Sequence, residues 1–144
     1  MEKIKVLIVE DTFAMRTFIK ATIKATFSEN VELDDAGSGE SAMDKLAAKP
    51  FDVVICDWNM PGMKGTELLA WMKEQDNLKD IPFLMLTAHN AKDVITGAIE
   101  AGVSDFIMKP VSADVLSQRV RMAFKTVLLA RAKKAGENGP ANSG

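Results

Sequence analysis

Five short apolar runs recur along the chain at near-regular spacing, and each is followed by a segment with helical periodicity. The runs are Val6-Leu7-Ile8-Val9, Val31-Glu32-Leu33-Asp34, Val53-Val54-Ile55-Cys56, Phe83-Leu84-Met85-Leu86 and Phe106-Ile107-Met108. Four are almost continuous and rich in branched side chains, as strands buried on both faces are; the second alternates and reads as an edge strand. The segments between them carry helix signals. In Phe13 to Phe27, Ile19, Ile23 and Phe27 fall four apart. Ser38 to Ala48 opens on a Ser-Gly-Glu-Ser cluster and stops before Pro50, and Gly65 to Gln75 carries Leu68, Leu69 and Met72. Asn90 to Ala101 begins at a good cap and stops at Gly102, while Ser112 to Ala135 has Asp114 in its first turn and Gly136 just past its end. Strand and helix alternating five times predict a single doubly wound α/β domain, (βα)5, with a parallel sheet, right-handed crossovers and helices on both faces.

Composition agrees with one globular domain: 144 residues, 47% hydrophobic and 26% charged. The longest apolar runs are four or five residues, far short of a membrane span. Met1 to Lys5 leads into only four apolar residues before Glu10, too few for a signal-peptide core, so a cytoplasmic chain is expected. Cys56 is the one cysteine, which excludes an internal disulfide framework and fits a reducing compartment. With His89 as the one histidine, a zinc site built from His and Cys alone is excluded. A formal charge of −2 gives no bulk-charge argument for nucleic acid. The charge is uneven: Arg119, Arg121, Lys125, Arg131, Lys133 and Lys134 fall in 115–135 without an acid, and the first sixty residues carry eleven acids against seven bases. The basic stretch reads as a solvated helix end that complements the helix dipole.

Ligands of an open parallel sheet bind outside the carboxyl ends of its strands. The residues that follow the apolar runs are Glu10 and Asp11 after the first, Asp57 after the third, Thr87 after the fourth, and Lys109 with Pro110 after the fifth. Three carboxylates, one hydroxyl and one ammonium therefore meet at one end of the sheet. Three acids against one lysine repel one another unless a cation joins them. Oxygen ligands favour Mg²⁺ or Ca²⁺, and a partly hydrated octahedral Mg²⁺ suits two or three carboxylates plus a phosphate. A carboxylate beside Mg²⁺, a lysine and a hydroxyl has the parts that phosphoryl transfer requires.

Val9-Glu10-Asp11, Asp57-Trp58-Asn59-Met60-Pro61-Gly62-Met63-Lys64-Gly65, Leu86-Thr87-Ala88 and Lys109-Pro110 resemble the receiver domain of two-component response regulators, CheY-like. The resemblance covers about residues 3–125. It implies a flavodoxin-like fold with strand order 2-1-3-4-5. It implies Asp57 as phosphoacceptor, with Mg²⁺ held by Asp11 and Asp57 directly, by Glu10 through water and by the backbone carbonyl of Asn59. Thr87 and the adjoining Ala88 would contact the phosphoryl group, Lys109 would pair with it, and Lys109-Pro110 would be cis, which an X-Pro bond tolerates. Phe106 takes the place of an aromatic switch residue, and Asn59 and His89 the places that tune dephosphorylation. The expected partners are a histidine kinase or histidine phosphotransfer protein and an output protein, with no direct nucleic-acid or membrane contact. Such a chain is not an enzyme beyond its own phosphorylation and dephosphorylation.

Two positions depart from the family pattern. Glu10 replaces an aspartate with a longer arm. Phe106 has no hydroxyl, so it either reports packing or stays buried in the core. Other signals weigh less. Gly37-Ser38-Gly39-Glu40-Ser41-Ala42 matches G-x-G-x-x-A but follows the polar second run, and a turn plus a helix start explains it. A haloacid-dehalogenase-like phosphatase would need an acid two residues after its nucleophile, where this chain has Asn59; a phosphate-independent binding module is the other alternative. Cys56 reads as a small buried apolar residue, Trp58 as partly surface-exposed, and the methionines as core filler apart from Met60 and Met63 in the loop after Asp57.

Two helices have more apolar surface than a simple amphipathic stripe needs. The fourth carries Ala91, Val94, Ile95, Ala98, Ile99 and Ala101 almost all round, so it is either covered or a partner site. In the last helix, 126–135 is expected to extend beyond the receiver domain (1–125), with Val127-Leu128-Leu129-Ala130 overhanging the sheet and available for a homodimer or an output protein. The Gly/Asn/Pro/Ser-rich 136–144 reads as a flexible tail.

Overall fold

The computed structural model describes residues 2–88 and 92–138. In chain order the elements are β1 (Ile4–Val9), α1 (Phe13–Phe27), β2 (Val31–Ala36), α2 (Gly39–Ala48), β3 (Val53–Asp57), α3 (Gly65–Lys73), β4 (Phe83–Thr87), α4 (Lys92–Ala101), β5 (Asp105–Met108) and α5 (Ala113–Asn138). The five strands form one parallel sheet in the order β2-β1-β3-β4-β5, as expected.

Each inner strand sends alternate side chains to opposite faces, and both faces are covered, which explains the continuous apolar runs. Leu7, Val9, Val54, Cys56, Phe83 and Met85 pack under α2, α3 and α4, against Leu46, Leu68, Leu69, Met72 and Ala98. Val6, Ile8, Ile55, Leu84 and Leu86 pack under α1 and α5, against Ile19, Ile23, Leu116, Val120 and Phe124. Phe27 and Phe124 tie α1 to α5, their ring centroids 4.6 Å apart.

Local chemistry sets the boundaries. Ser38 caps α2, its hydroxyl accepting the Ser41 N–H at 3.1 Å. This accounts for the glycine-rich motif as a turn and helix start. Gly39 has a further reason: a Cβ there would fall 2.7 Å from Met63 Cγ, so the bare backbone lets the loop after β3 lie on the start of α2. The edge strand β2 runs on to Ala36, because β1 continues to pair with it up to Val9 opposite Ala36.

The structure corrects several expectations. Trp58 is buried rather than surface-exposed and stands edge-on to Phe83 at 6.3 Å. Met60 is inside the core and Met63 packs against it. The last helix does not overhang as a whole: Val127 is 8% exposed within the α1/α5 cluster and Leu128 packs on it, and of the four residues expected to project Leu129 and Ala130 are exposed. Nor does α5 end before Gly136; it runs through to Asn138, and 139–144 lie outside the described residues. The physical reason is Arg131, which donates to the carbonyls of Glu2 (2.8 Å) and Lys3 (3.0 Å) and reaches Asp52 at 3.2 Å. These bonds hold the late turns of α5 against the start of the sheet. On α4, Ala98 is buried, Val94 packs on the core and Ile99 is exposed; Ala91 lies outside the described residues. Among the described residues no helix is long and apolar enough to cross a membrane.

Candidate functional site

Parallel strands that stop at different points leave a cleft at their carboxyl ends, and the predicted residues line it. Asp57 is the last residue of β3 and Thr87 the last of β4; Glu10 and Asp11 follow β1, and Lys109 follows β5. Glu10 (1% exposed), Asp57 (3%) and Thr87 (2%) are the buried polar groups of the molecule among the described residues. Asp11 is exposed at the mouth. Carboxylate oxygens of Glu10, Asp11 and Asp57 all lie within 4.8 Å of one another.

Burying two carboxylates is costly unless each finds partners. Lys109 Nζ stands 3.1 Å from Asp57 Oδ2 and 3.5 Å from Glu10 Oε1. The Asn59 N–H donates to Asp57 Oδ1 at 3.2 Å, and the Thr12 N–H to Glu10 Oε2 at 3.5 Å. These bonds do not balance the cluster. Burial, the neighbouring Asp11 and the charge of Asp57 together push Glu10 up to about 7, against the pull of Lys109 and the Thr12 N–H. Burial draws the Lys109 ammonium down, but its bond to Asp57 and the charges of Asp57 and Glu10 outweigh that and hold its pKa above the ordinary value. Cys56 is fully buried, and burial with the nearby carboxylates drives its thiol pKa upward, so it is an inert packing residue as expected.

The donor set fits Mg²⁺. Oxygens on one such ion lie at most about 4.2 Å apart, twice an Mg–O distance of about 2.1 Å. A spread of up to 4.8 Å therefore needs only a slight closure, or one water on the long arm of Glu10. The exposed Asn59 follows two residues after Asp57, its backbone beside the cluster.

The supports are backbone contacts. Trp58 N–H donates to Leu86 O at 2.9 Å and Lys109 N–H to Thr87 O at 2.8 Å, which ties the end of β3 to β4 and the end of β5 to β4. A Cβ on Gly65 would stand 2.7 Å from the Asp57 carbonyl oxygen, so only glycine lets α3 start this close. The Lys109-Pro110 peptide is cis, as expected. Ala88 is exposed beyond Thr87. Phe106 is half-buried and packs against the α2/α3/α4 cluster, between the two arrangements considered for it. His89 lies outside the described residues. One contact left no mark in the motifs: Arg16, in the first turn of α1, donates from Nη1 to the Glu10 carbonyl at 2.7 Å.

The profile of the family described as response regulator receiver domain matches residues 6–121. Among curated proteins, the chain is 39% identical over 124 residues to the chemotaxis protein CheY of Pseudomonas aeruginosa, covering 85% of this chain and 98% of that protein. It is 37% identical over 125 residues to the chemotaxis protein CheY-3 of Vibrio cholerae, covering 86% and 94%. Among solved structures, the chemotaxis response regulator CheY4 of Vibrio cholerae superposes with a TM-score of 0.78 at 28% identity, covering 84% of this chain and 98% of that one. The receiver domain of Francisella response regulator 1452 superposes at 0.77 and 27% identity, covering 86% and 98%. With that match over most of its length and the acidic cleft in place, the chain belongs to the response regulator receiver domain family, in its CheY-like form, and is a component of two-component signalling.

Proposed function

We propose that the chain is a phosphoaccepting switch, phosphorylated on Asp57 in a Mg²⁺-dependent reaction by a histidine kinase or a histidine phosphotransfer protein. The observation that carries this reading is the convergence of two buried carboxylates, one exposed carboxylate, a buried threonine and a lysine at the end of one sheet. Asp57 Oδ attacks the phosphorus of the donor in line; the new O–P bond forms as the donor N–P bond breaks, and the imidazole leaves with the electron pair. Mg²⁺ held by Asp11, Asp57, the Asn59 carbonyl and, through water, Glu10 would neutralise charge on the phosphoryl oxygens. Lys109, already beside Asp57, moves from the carboxylate to a phosphoryl oxygen, and the Thr87 hydroxyl donates to another beside the backbone of Ala88.

The outcome is a change of charge at one end of the sheet, which biases two arrangements of α4, β5 and α5. Phe106, half-buried against the cluster that contains Ala98 of α4, would report that change by packing alone. The signal leaves through protein contacts, in the cytoplasm, to an output protein. A homodimer through the last helices would use Met122 and Leu129, the most exposed large apolar residues of α5. Asn59 and His89 tune the lifetime of the phosphoryl group, and the chain's only catalysis is on itself. A haloacid-dehalogenase-like phosphatase would need a carboxylic acid where the exposed Asn59 stands.

Intact-protein mass after treatment with a small acyl-phosphate donor and Mg²⁺ tests the reading. One phosphoryl group, labile to alkali and lost in Asp57→Asn and in EDTA, is the expected result. No adduct and no donor turnover would mean a phosphate-independent binding module. Sustained donor turnover without an adduct would revive the phosphatase.

A further inference from the structure

This inference rests on the metal-site reading above. The β1/β2 ladder ends with Val9 opposite Ala36, and Glu10 N–H makes one more bond to Ala36 O at 3.0 Å. One peptide unit later the sheet has stopped, where the chain must aim two metal-binding carboxylates. The Glu10 carbonyl and the Asp11 N–H share one planar unit, so whatever fixes that carbonyl fixes the direction in which Asp11 departs. Arg16 Nη1 donates to it at 2.7 Å. The same guanidinium donates from Nε to Asp35 Oδ2 of β2 at 2.9 Å, and it rests over the Phe13 ring at 5.7 Å from the centroid. Its arginine side chain is 18% exposed. Gly37 leaves room for it: a Cβ there would stand 3.3 Å from Nη1. The fork therefore replaces the missing strand neighbour, one prong on β2 and the other on the Glu10–Asp11 peptide.

We propose that Arg16 is a positioning residue for the cation site: it holds the Glu10–Asp11 peptide plane so that both carboxylates face Asp57 before the metal arrives. The role needs the geometry of a guanidinium, whose two donors are rigidly spaced, rather than a positive charge. Charge and geometry here predict opposite signs. Removing a cation beside an acidic cleft favours Mg²⁺ on electrostatic grounds. Losing the fork disfavours it, because the peptide plane must then be ordered at the moment of binding.

Mg²⁺ titration of the full chain, followed by tryptophan fluorescence and by the Mg²⁺-dependent rise in Tm, separates the two. Arg16→Met keeps an unbranched apolar stem and loses both prongs, together with the guanidinium over Phe13. Its expected Mg²⁺ affinity is about tenfold weaker, the scale seen when a ligand loses its orienting partner. Arg16→Lys keeps the charge without the fork and is expected to be weakened as well, by a smaller factor. Equal or tighter Mg²⁺ binding by a folded Arg16→Met overturns the proposal. Should Arg16→Met fail to fold, unchanged affinity in Arg16→Lys overturns it. No Mg²⁺ response in the unaltered protein overturns the metal site itself, and with it this role, so the two failures are distinct.

Discussion

Lys109 Nζ lies 3.1 Å from Asp57 Oδ2 and 3.5 Å from Glu10 Oε1, so a single ammonium bridges both buried carboxylates of the cleft. Breaking a buried ion pair from one side leaves an uncompensated charge. Lys109 is itself partly exposed, so the cost is reduced from the fully buried case. Lys109→Met is expected to lower stability by about 1–3 kcal/mol in the absence of divalent cations, and Mg²⁺ should then restore more stability than it adds to the unaltered protein. Thermal unfolding with and without Mg²⁺ reads both effects. A variant as stable as the parent, with an unchanged response to Mg²⁺, would show that the lysine is not what balances the acids.

Three glycines sort by what surrounds them. At Gly65 an added Cβ meets backbone, the Asp57 carbonyl at 2.7 Å and Trp58 Cα at 3.0 Å. Gly65→Ala is expected to cost about 2–3 kcal/mol and, on the function proposed above, to slow phosphorylation, since relief requires moving the peptide of Asp57. Gly39→Ala meets only the Met63 side chain and should cost less. At Gly97, inside α4, nothing lies within 4 Å, and Gly97→Ala should stabilise by about 0.5–1 kcal/mol. Denaturant unfolding of the three variants should therefore rank 97 above 39 above 65.

Much of this architecture was legible in the chain. Period-2 strands buried on two faces appear as unbroken runs such as Val53-Val54-Ile55-Cys56, and helices of period 3.6 between them leave only one class of fold. The site was legible for the same reason: strand ends are adjacent in a parallel sheet, so residues far apart in sequence, Glu10, Asp57 and Lys109, can be brought together on paper. What escaped depends on reach rather than on pattern. Arg131 lies far beyond Glu2 in sequence, and no periodicity says that its guanidinium ends on that carbonyl. Arg16 looks like any charged residue in a first helical turn until Asp35 and the Glu10 carbonyl stand within its fork. Gly136 is a fair stop signal, overridden because tertiary bonds hold the preceding turn. Trp58 was misplaced because the residue beside a strand-end aspartate can turn inward to meet Phe83.

Away from the cleft, Asp34 on β2 is held by Lys45 at 2.9 Å and Lys49 at 2.8 Å. Partial burial favours its neutral form, but the bonds to Lys49 and Lys45 prevail and lower its carboxyl from 3.8 to about 2. A carboxyl whose pKa falls on folding adds stability above the unfolded value, and this is lost as pH drops through the folded one. The contribution is therefore whole above pH 4 and disappears toward pH 2. Solvent screening of these lysines reduces it to about 1 kcal/mol. Asp34→Asn should be less stable than the parent by that amount at pH 6, with the difference closing on acidification. A gap that stays constant down to pH 2 would mean that packing, not charge, is what the substitution removes.

The late turns of α5 are tied to the start of the chain. Arg131 donates to the Glu2 and Lys3 carbonyls and reaches Asp52 Oδ2, which also accepts the Lys5 N–H at 2.8 Å. One guanidinium thus joins the segment before β1, the turn before β3 and the last helix. Arg131→Met keeps the apolar stem and gives up these bonds, for an expected loss of about 1–2 kcal/mol. Ending the chain after Lys125 also removes Val127 and Leu128 from the α1/α5 cluster. Losing two such side chains costs several kcal/mol more, on the order of 2 or more for each large one. Truncation at that point is expected to expose hydrophobic surface and promote aggregation, so it cannot serve to test dimer formation. Leu129→Glu can, because Leu129 is 62% exposed and leaves the core untouched. With the fold unchanged in circular dichroism, a sedimentation profile identical to that of the parent at every concentration would remove Leu129 as a contact between copies, and the same test on Met122→Glu would then decide for the rest of α5.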